Sequence, residues 1–375
     1  MSAQVTSKSL MKSLLLLTTL IMLFTGCKTM EKNASMENIK FERLFSWGPP
    51  TNEETAAKYA QAGVTDIIVY SEKQLELATK HGMRGYWTCF TPEGPHCQIM
   101  SEEETRHFNY INGKDLDPAM PRDERLKITS MRKGEKNHRY GGEMVTDIDT
   151  LNDAEIKCFI SDDDLALTRQ KLDRILNTAP DGISGIYMDY IGYMNHHGCY
   201  CENCLAKYKK YLADKHLENT TENRNDFYLE QLVGYYNHVI DYVKKQRPEF
   251  KIVIHAYPDF KPLPLYGNLV KADYCGQTVA WYFQWPEEKI QYYTKFVTEH
   301  AKDYYPHVEG IPFQGVNTNS NISLGYKTPA DVEREIRQIL AAGGKTLMVC
   351  DGPSIIEPGY FDVFKKYCGK ESSSK

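Results

Sequence analysis

The feature that most constrains this chain is a repeated strand–helix pattern. Eight short segments are apolar or aromatic along most of their length: Phe41–Trp47, Thr65–Tyr70, Met83–Phe90, Gly185–Tyr190, Lys251–Tyr257, Tyr274–Val279, Val308–Gln314 and Lys345–Cys350. Strands with one wet face alternate; strands that are apolar throughout are covered on both faces, as in parallel sheets. Helical patterns with clear punctuation lie between them. Ser161 with Asp164 predicts a capping box for a helix with Leu165, Leu172, Ile175 and Leu176 on one face. Thr328-Pro329-Ala330-Asp331 predicts a helix start, followed by an apolar stripe of Val332, Ile336, Ile339 and Leu340. Glycines close helices just before strands at Gly63, Gly82 and Gly343-Gly344.

Eight βα units predict an α/β fold, the (β/α)8 TIM barrel, whose typical length is about 250 residues. The surplus falls mainly in residues 91–160, a polar stretch read as an insertion after the third strand, over the barrel mouth. It carries a helical pattern near Ser101–Tyr110 and a hairpin pattern around Tyr140–Ile160. The competing fold is a doubly wound open sheet, but no glycine-rich phosphate loop follows any strand.

The N-terminal segment reads as an address. Ser13–Phe24 is almost purely apolar, follows Lys8 and Lys12, and is short for a bilayer span, which predicts a signal peptide over residues 1–26. It ends Leu23-Phe24-Thr25-Gly26-Cys27, which resembles a bacterial lipobox, with Cys27 as the lipidated residue. An ordinary signal peptide with a chance cysteine is the alternative. Residues 27–40 then form a tether and 41–370 the barrel. Position 28 is lysine, so nothing resembles an inner-membrane retention signal. The expected location is the bacterial cell envelope, lipid-anchored at the outer membrane on its periplasmic or surface face, with membrane contact through the anchor alone. A net charge of −5 and the lack of a Lys/Arg stripe give no footprint for nucleic acid.

In such a barrel, function sits at the C-terminal ends of the strands. All four tryptophans fall near those ends: Trp47, Trp87, Trp281 and Trp285, joined by Tyr190, Tyr257 and Tyr282. Flat rings over a polar cleft suit the apolar faces of sugars. Carboxylates occupy the same ends. Asp189 closes Gly185-Ile-Tyr-Met-Asp-Tyr, where an unpaired acid is costly. Asp351 follows the eighth strand, and Asp259 follows the fifth, which contains His255. Glycoside hydrolysis needs two such groups flanking one bond, so Asp189 with Asp351 or Asp259 is chemically adequate. Asp273 and Glu309 stand early in their strands and read as belonging to the opposite end.

Cys199-Tyr-Cys-Glu-Asn-Cys204 places three thiols within six residues, after His196 and His197. That spacing suits a thiolate metal site. Cys158 is the favoured fourth ligand, with Cys97, Cys89 or a histidine as alternatives. A closed four-ligand zinc would be structural; a Cys199–Cys204 disulfide is the competing reading in an oxidising compartment. Nine cysteines after Cys27 are odd in number and sparse, so a disulfide framework is not the design.

The stretch from Asp181 through Met188-Asp189-Tyr190, with the Cys199–Cys204 loop and Leu205-Ala-Lys-Tyr-Lys-Lys-Tyr-Leu after it, resembles barrel glycoside hydrolases. It is similar to hypothetical glycosidase-like families and, distantly, to the family 42 β-galactosidases. The resemblance implies an acid/base near Asp189 and zinc in the cysteine loop. The chain departs from family 42 where an Asn-Glu pair would stand at 188–189, and where a strand-seven glutamate would stand near Pro312-Phe313-Gln314.

Together these features predict an exported glycoside hydrolase acting on oligo- or polysaccharide. Asp189, Asp351 and Asp259 are its candidate catalytic carboxylates. Trp47, Trp87, Tyr190, His255, Tyr257, Trp281 and Trp285 are its candidate sugar contacts. Two other readings compete: a non-catalytic glycan-binding lipoprotein, and a metal-dependent hydrolase, such as a sugar deacylase, using His196, His197 or His255.

Overall fold

The computed structural model describes residues 39–90, 95, 106, 109–110, 113–134, 157–162, 165–191, 198–256, 266–280, 284–316 and 327–369. Side chains of 88–90, 130, 133–134, 189–191 and 266 are outside this description. The segment read as a signal peptide, Cys27 and most of the 91–160 stretch read as an insertion are likewise outside it.

Eight strands form one closed parallel barrel in chain order. They are β1 (Arg43–Trp47), β2 (Asp66–Val69), β3 (Arg84–Phe90), β4 (Gly185–Ile191), β5 (Lys251–Ala256), β6 (Tyr274–Ala280), β7 (Glu309–Gly315) and β8 (Thr346–Cys350). Nine helices accompany them among the described residues: α1 (Glu53–Ala62), α2 (Glu72–Lys80), α3 (Arg122–Gly134), α4 (Ala166–Thr178), α5 (Glu202–Lys215), α6 (Thr221–Gln246), α7 (Glu287–His300), α8 (Pro329–Ala341) and α9 (Tyr360–Cys368). The eight strand-like segments and the (β/α)8 architecture therefore stand as read from the sequence. α3 lies in the 91–160 stretch between β3 and β4. The 101–110 pattern is described only at three residues, and the hairpin pattern falls mostly outside.

Local chemistry explains the junctions. Gly63 and Gly343 close α1 and α8 near φ +95° and +93°, a left-handed conformation costly for other residues. Thr328 and Asp331 form a full capping box at α8, with Val332, Ile336, Ile339 and Leu340 buried as the stripe requires. The helix before β4 differs from expectation. Ser161 ends a 3-10 turn and its hydroxyl donates to Cys158 O at 2.7 Å, so it caps no helix. α4 begins at Ala166 instead, and Asp162 accepts from the Thr168 and Leu167 amides at 2.7 and 3.3 Å. A carboxylate further upstream meets the same orphan amides that a cap would meet.

Inward-facing side chains fill the barrel. Phe45 lies 5.5 Å from Tyr86 and 5.6 Å from Tyr274, ring centre to ring centre. At the N-terminal end a polar plug closes the floor. Asp66, fully buried, accepts from Arg43 at 3.3 Å, Arg84 at 2.9 Å and Tyr86 at 3.2 Å. Glu309 accepts from Thr346 at 2.7 Å and pairs with Arg43 at 3.4 Å. Asp273 pairs with Lys244 and Lys251, both at 2.8 Å, beside them. These acids brace the stable end and leave the opposite end for chemistry.

Candidate active site at the barrel mouth and a four-thiol cluster

At the C-terminal mouth, β1 and β8 pair with Trp47 opposite Cys350, which sets Asp351 beside the Trp47 rim. Asp351 adopts φ 65°, ψ 64°, a strained left-handed conformation for a non-glycine residue. Such strain collects at functional sites. Its carboxylate accepts from the Ser354 hydroxyl at 2.6 Å, and the residue is partly exposed. The Trp47 indole N–H donates to the Tyr70 hydroxyl at 3.1 Å, and its ring lies 5.9 Å from Tyr187 at 44°. Trp47 is half-buried and Tyr70 is 45% exposed, so one aromatic edge of the mouth faces solvent.

Across the ring, Asp189 is the fifth residue of β4. The β4–β5 register shifts between Met188 and Ile191. A strand irregularity there re-aims the backbone at Asp189 and Tyr190, as bulges beside active sites do. Their side chains lie outside the described atoms, as do Tyr257, Asp259 and Trp281. In a ring of eight, β4 and β8 are four strands apart in either direction. Strand spacing and tilt make such a barrel about 15 Å across. Asp189 and Asp351 therefore stand on opposite sides of the mouth.

The remaining aromatic candidates are positioned differently from the sequence expectation. Tyr86 points into the barrel, so strand alternation turns Trp87 outward, where it packs half-buried against the core. Trp285 is only 6% exposed, with the Lys289 ammonium 3.7 Å above its ring and Tyr293 at 5.9 Å. His255 is fully buried, stacked on Phe313 at 3.8 Å, with Nε2 2.9 Å from the Thr278 hydroxyl. Buried or turned away, these three present no open face to a sugar at the rim. Tyr70, just past β2, is the exposed ring beside Trp47, whereas Tyr187 is buried and packs against Trp47 from inside the barrel. Tyr70 was legible by the strand-end rule that marked Trp47; Tyr187 needed the barrel interior.

The three cysteines chosen from spacing come together with Cys158, one of the candidates for the fourth position. Cys158 precedes the turn at Phe159–Ser161, Cys199 and Cys201 precede α5, and Cys204 lies in its first turn. All four sulphurs fall within 4.8 Å of one another; Cys158 is 3.3 Å from Cys204 and 3.9 Å from Cys201. A tetrahedron with bonds of about 2.3 Å has edges of about 3.8 Å, so this donor set fits one tetrathiolate zinc. Crowding works against protons leaving without a cation. The hydrogen-bonded Cys199 thiol pushes Cys158 up to about 12, and Cys158 and Cys199 together push Cys204 up as well. The frame is well held: Tyr228 Oη donates to Cys199 O, and Lys207 Nζ donates to Ile160 O at 2.5 Å. A cavity of about 220 Å³ adjoins this cluster, lined by Phe159, Lys207 and Tyr235 among others. Its lining comes from the segment before α4 and from α5 and α6. His196 and His197 lie outside the described residues.

The fold and site define the chain as a (β/α)8 barrel with an acid- and aromatic-bearing C-terminal mouth and a four-thiol cluster after β4. No protein-family model matches it, and no curated protein matches it by sequence. Its fold is similar to solved structures of glycoside hydrolases. One is a β-galactosidase from the psychrophilic Marinomonas ef1, at 11% identity and TM-score 0.48, covering 82% of this chain and 53% of that one. The chain thus spans about half of that enzyme's length. Another is the PgaB (BpsB) glycoside hydrolase domain from Bordetella bronchiseptica, at 8% identity and TM-score 0.46, covering 88% and 99%. Bee venom hyaluronidase follows at 12% identity and TM-score 0.39, covering 87% and 96%.

Proposed function

We propose that this chain is a glycoside hydrolase whose substrate enters the C-terminal mouth of the barrel. The observation that carries the reading is Asp351, held in a left-handed conformation beside the half-buried Trp47 and facing the end of β4 across the mouth. The similar structures are named as glycoside hydrolases, but the weight rests on this arrangement.

In the mechanism, one carboxyl group protonates the leaving oxygen while the other acts on the opposite face of the sugar. Asp189 and Asp351 fill these roles, and Asp259 is the alternative to Asp351. Trp47 and Tyr70 supply the surface for a sugar ring, with Tyr187 supporting Trp47 from below. Cys158, Cys199, Cys201 and Cys204 would hold zinc, which with four sulphur donors closes its coordination and braces the segment after β4. Four sulphur donors would leave no open position for water or substrate, which disfavours hydrolysis at this site's metal. Lipidation at Cys27 would tether the domain to the cell envelope.

The test is cleavage of an oligosaccharide panel by wild type, Asp189→Asn and Asp351→Asn, with product analysis. Cleavage by wild type, reduced at least about a hundredfold in both variants, supports the reading. Equal cleavage by all three removes these acids from catalysis. Binding with no cleavage by wild type replaces the enzyme with the glycan-binding reading.

A further inference from the structure

Lys327 and Glu335 form an ion pair that the mechanism at the mouth does not use. Both are shut off from solvent, at 0% and 1% exposure, with Nζ 2.8 Å from the carboxylate. Taking two charges out of water is expensive, and an apolar pair of the same size is often at least as stable. This pair is also incompletely satisfied: Glu335 Oε1 and Gln314 Oε1 are buried with no hydrogen-bond partner. Its neighbours show what it holds in place.

The pair grips the end of β7. Lys327 Nζ donates to the carbonyl of Gly315, the last residue of β7, at 3.0 Å, and Gln314 donates to Glu335 at 2.8 Å. Gly315 and Lys327 are 12 residues apart, so the ammonium closes the root of the connection between β7 and α8. The Tyr360 hydroxyl of α9 donates to Lys327 O and fixes the lysine backbone.

From Gly315 the contacts lead to Asp351. Gly315 pairs in register with Cys350, the residue before Asp351, and Val316 N donates to Cys350 O at 3.4 Å. Ser354, fully buried, donates its hydroxyl to the Asp351 carboxylate at 2.6 Å and stands 3.5 Å from Val316 O. A left-handed conformation such as that of Asp351, φ 65°, persists only while its surroundings impose it. Those surroundings include the end of β7.

We propose that Lys327 and Glu335 are positioning residues for Asp351. The buried pair fixes the end of β7, and β7 with Ser354 fixes the conformation and carboxylate of Asp351. The proposal rests on the reading of Asp351 as a catalytic acid. Misplacing a reacting group by about 1 Å costs on the order of a hundredfold in rate, so loss of the pair appears in kcat rather than in KM.

The test compares wild type, Lys327→Met/Glu335→Leu, Ser354→Ala and Asp351→Asn on an oligosaccharide that wild type cleaves. Melting temperatures set an assay temperature at which every variant is folded. The double variant removes both charges together, so no buried charge is left unpaired. The expected result is a kcat about ten- to a hundredfold lower, with KM within about twofold of wild type. Ser354→Ala should lower kcat as well, and adding it to the double variant should cost little more, since both act through one carboxylate. A double variant with wild-type kcat, beside an inactive Asp351→Asn, overturns the proposal and leaves Asp351 catalytic. A loss confined to KM, or losses that are fully additive with Ser354→Ala, also overturns it. Asp351→Asn as active as wild type removes Asp351 from catalysis and the proposal with it, as does the absence of any cleavage by wild type.

Discussion

Cys158 and Cys204, 46 residues apart in sequence, bring their sulphurs to 3.3 Å, although one precedes α4 and the other lies in α5. The contact joins the segments on either side of β4, the strand that carries Asp189. A metal there would therefore act on the site through the backbone. Purified protein is expected to hold one zinc per chain by elemental analysis. Chelation, or Cys204→Ser, should lower the melting temperature and expose thiols to a colorimetric reagent. A protein free of zinc whose cysteines resist that reagent would point to a disulfide instead.

Asp189 and Asp351 reach the mouth from opposed strands, with barrel walls about 15 Å apart. Two aspartate side chains of about 2.5 Å each, both turned inward, would shorten that gap to about 10 Å, near the long end of the spacing that admits a water and about twice that of direct attack. Retention needs carboxyl groups about 5 Å apart, whereas inversion uses roughly 6.5–9.5 Å. The predicted outcome is inversion, read as the anomer first formed in a proton NMR time course. A retained anomer would exclude this pair and favour Asp259, which follows the adjacent strand.

Lys327 and Glu335 form a buried ion pair of 2.8 Å, 0% and 1% exposed, and Gln314 of β7 donates to the same carboxylate oxygen at 2.8 Å. Burial lowers the affinity of Lys327 for its proton and raises that of Glu335. Removing one partner strands the other. Lys327→Met should destabilise by about 3–5 kcal/mol in chemical denaturation, whereas Lys327→Met/Glu335→Leu should recover most of the loss. A single variant as stable as wild type would show that the pair carries no such coupling.

Asp273 gives a pH dependence with a definite sign. Burial opposes its charge, but hydrogen bonds from Lys244, Lys251 and the Ile252 amide outweigh it and hold the carboxyl below the usual aspartate range. A depressed folded value contributes stability that is complete above the unfolded value of about 3.9 and is lost as pH falls through the folded one. Asp273→Asn should therefore cost about 1–2 kcal/mol at neutral pH and progressively less below pH 4. A cost independent of pH would mean that the carboxylate charge contributes nothing.

Much of the architecture was legible in the chain. Continuous apolar runs marked each strand because parallel barrel strands are covered on both faces. Gly63, Gly82 and Gly343 all take the left-handed conformation expected where helices turn into strands. The capping box at Thr328 formed because it needs only neighbours three residues away. The one expected at Ser161 did not form because that residue ends a 3-10 turn and α4 begins only at Ala166, with Leu165 at its N-cap.

The candidate residues were legible by position and less so by orientation. Strand-end counting placed Trp47, Asp189 and Asp351 toward the ends of β1, β4 and β8, where the backbone has them, since a strand's end is a property of its own residues. It could not tell that Trp87 faces outward, that Lys289 covers Trp285, or that His255 lies against Phe313. Those depend on the phase of the pleat and on neighbours far along the chain. The sequence by itself determined the eight strands, their order and the three clustered sulphur donors Cys199, Cys201 and Cys204, because periodicity and close spacing are local. Only the tertiary structure decided which rings are exposed at the mouth, that the ends of β4 and β8 stand on opposite sides of it, and that Cys158 joins the other three. Each of these depends on how the closed ring brings distant segments together.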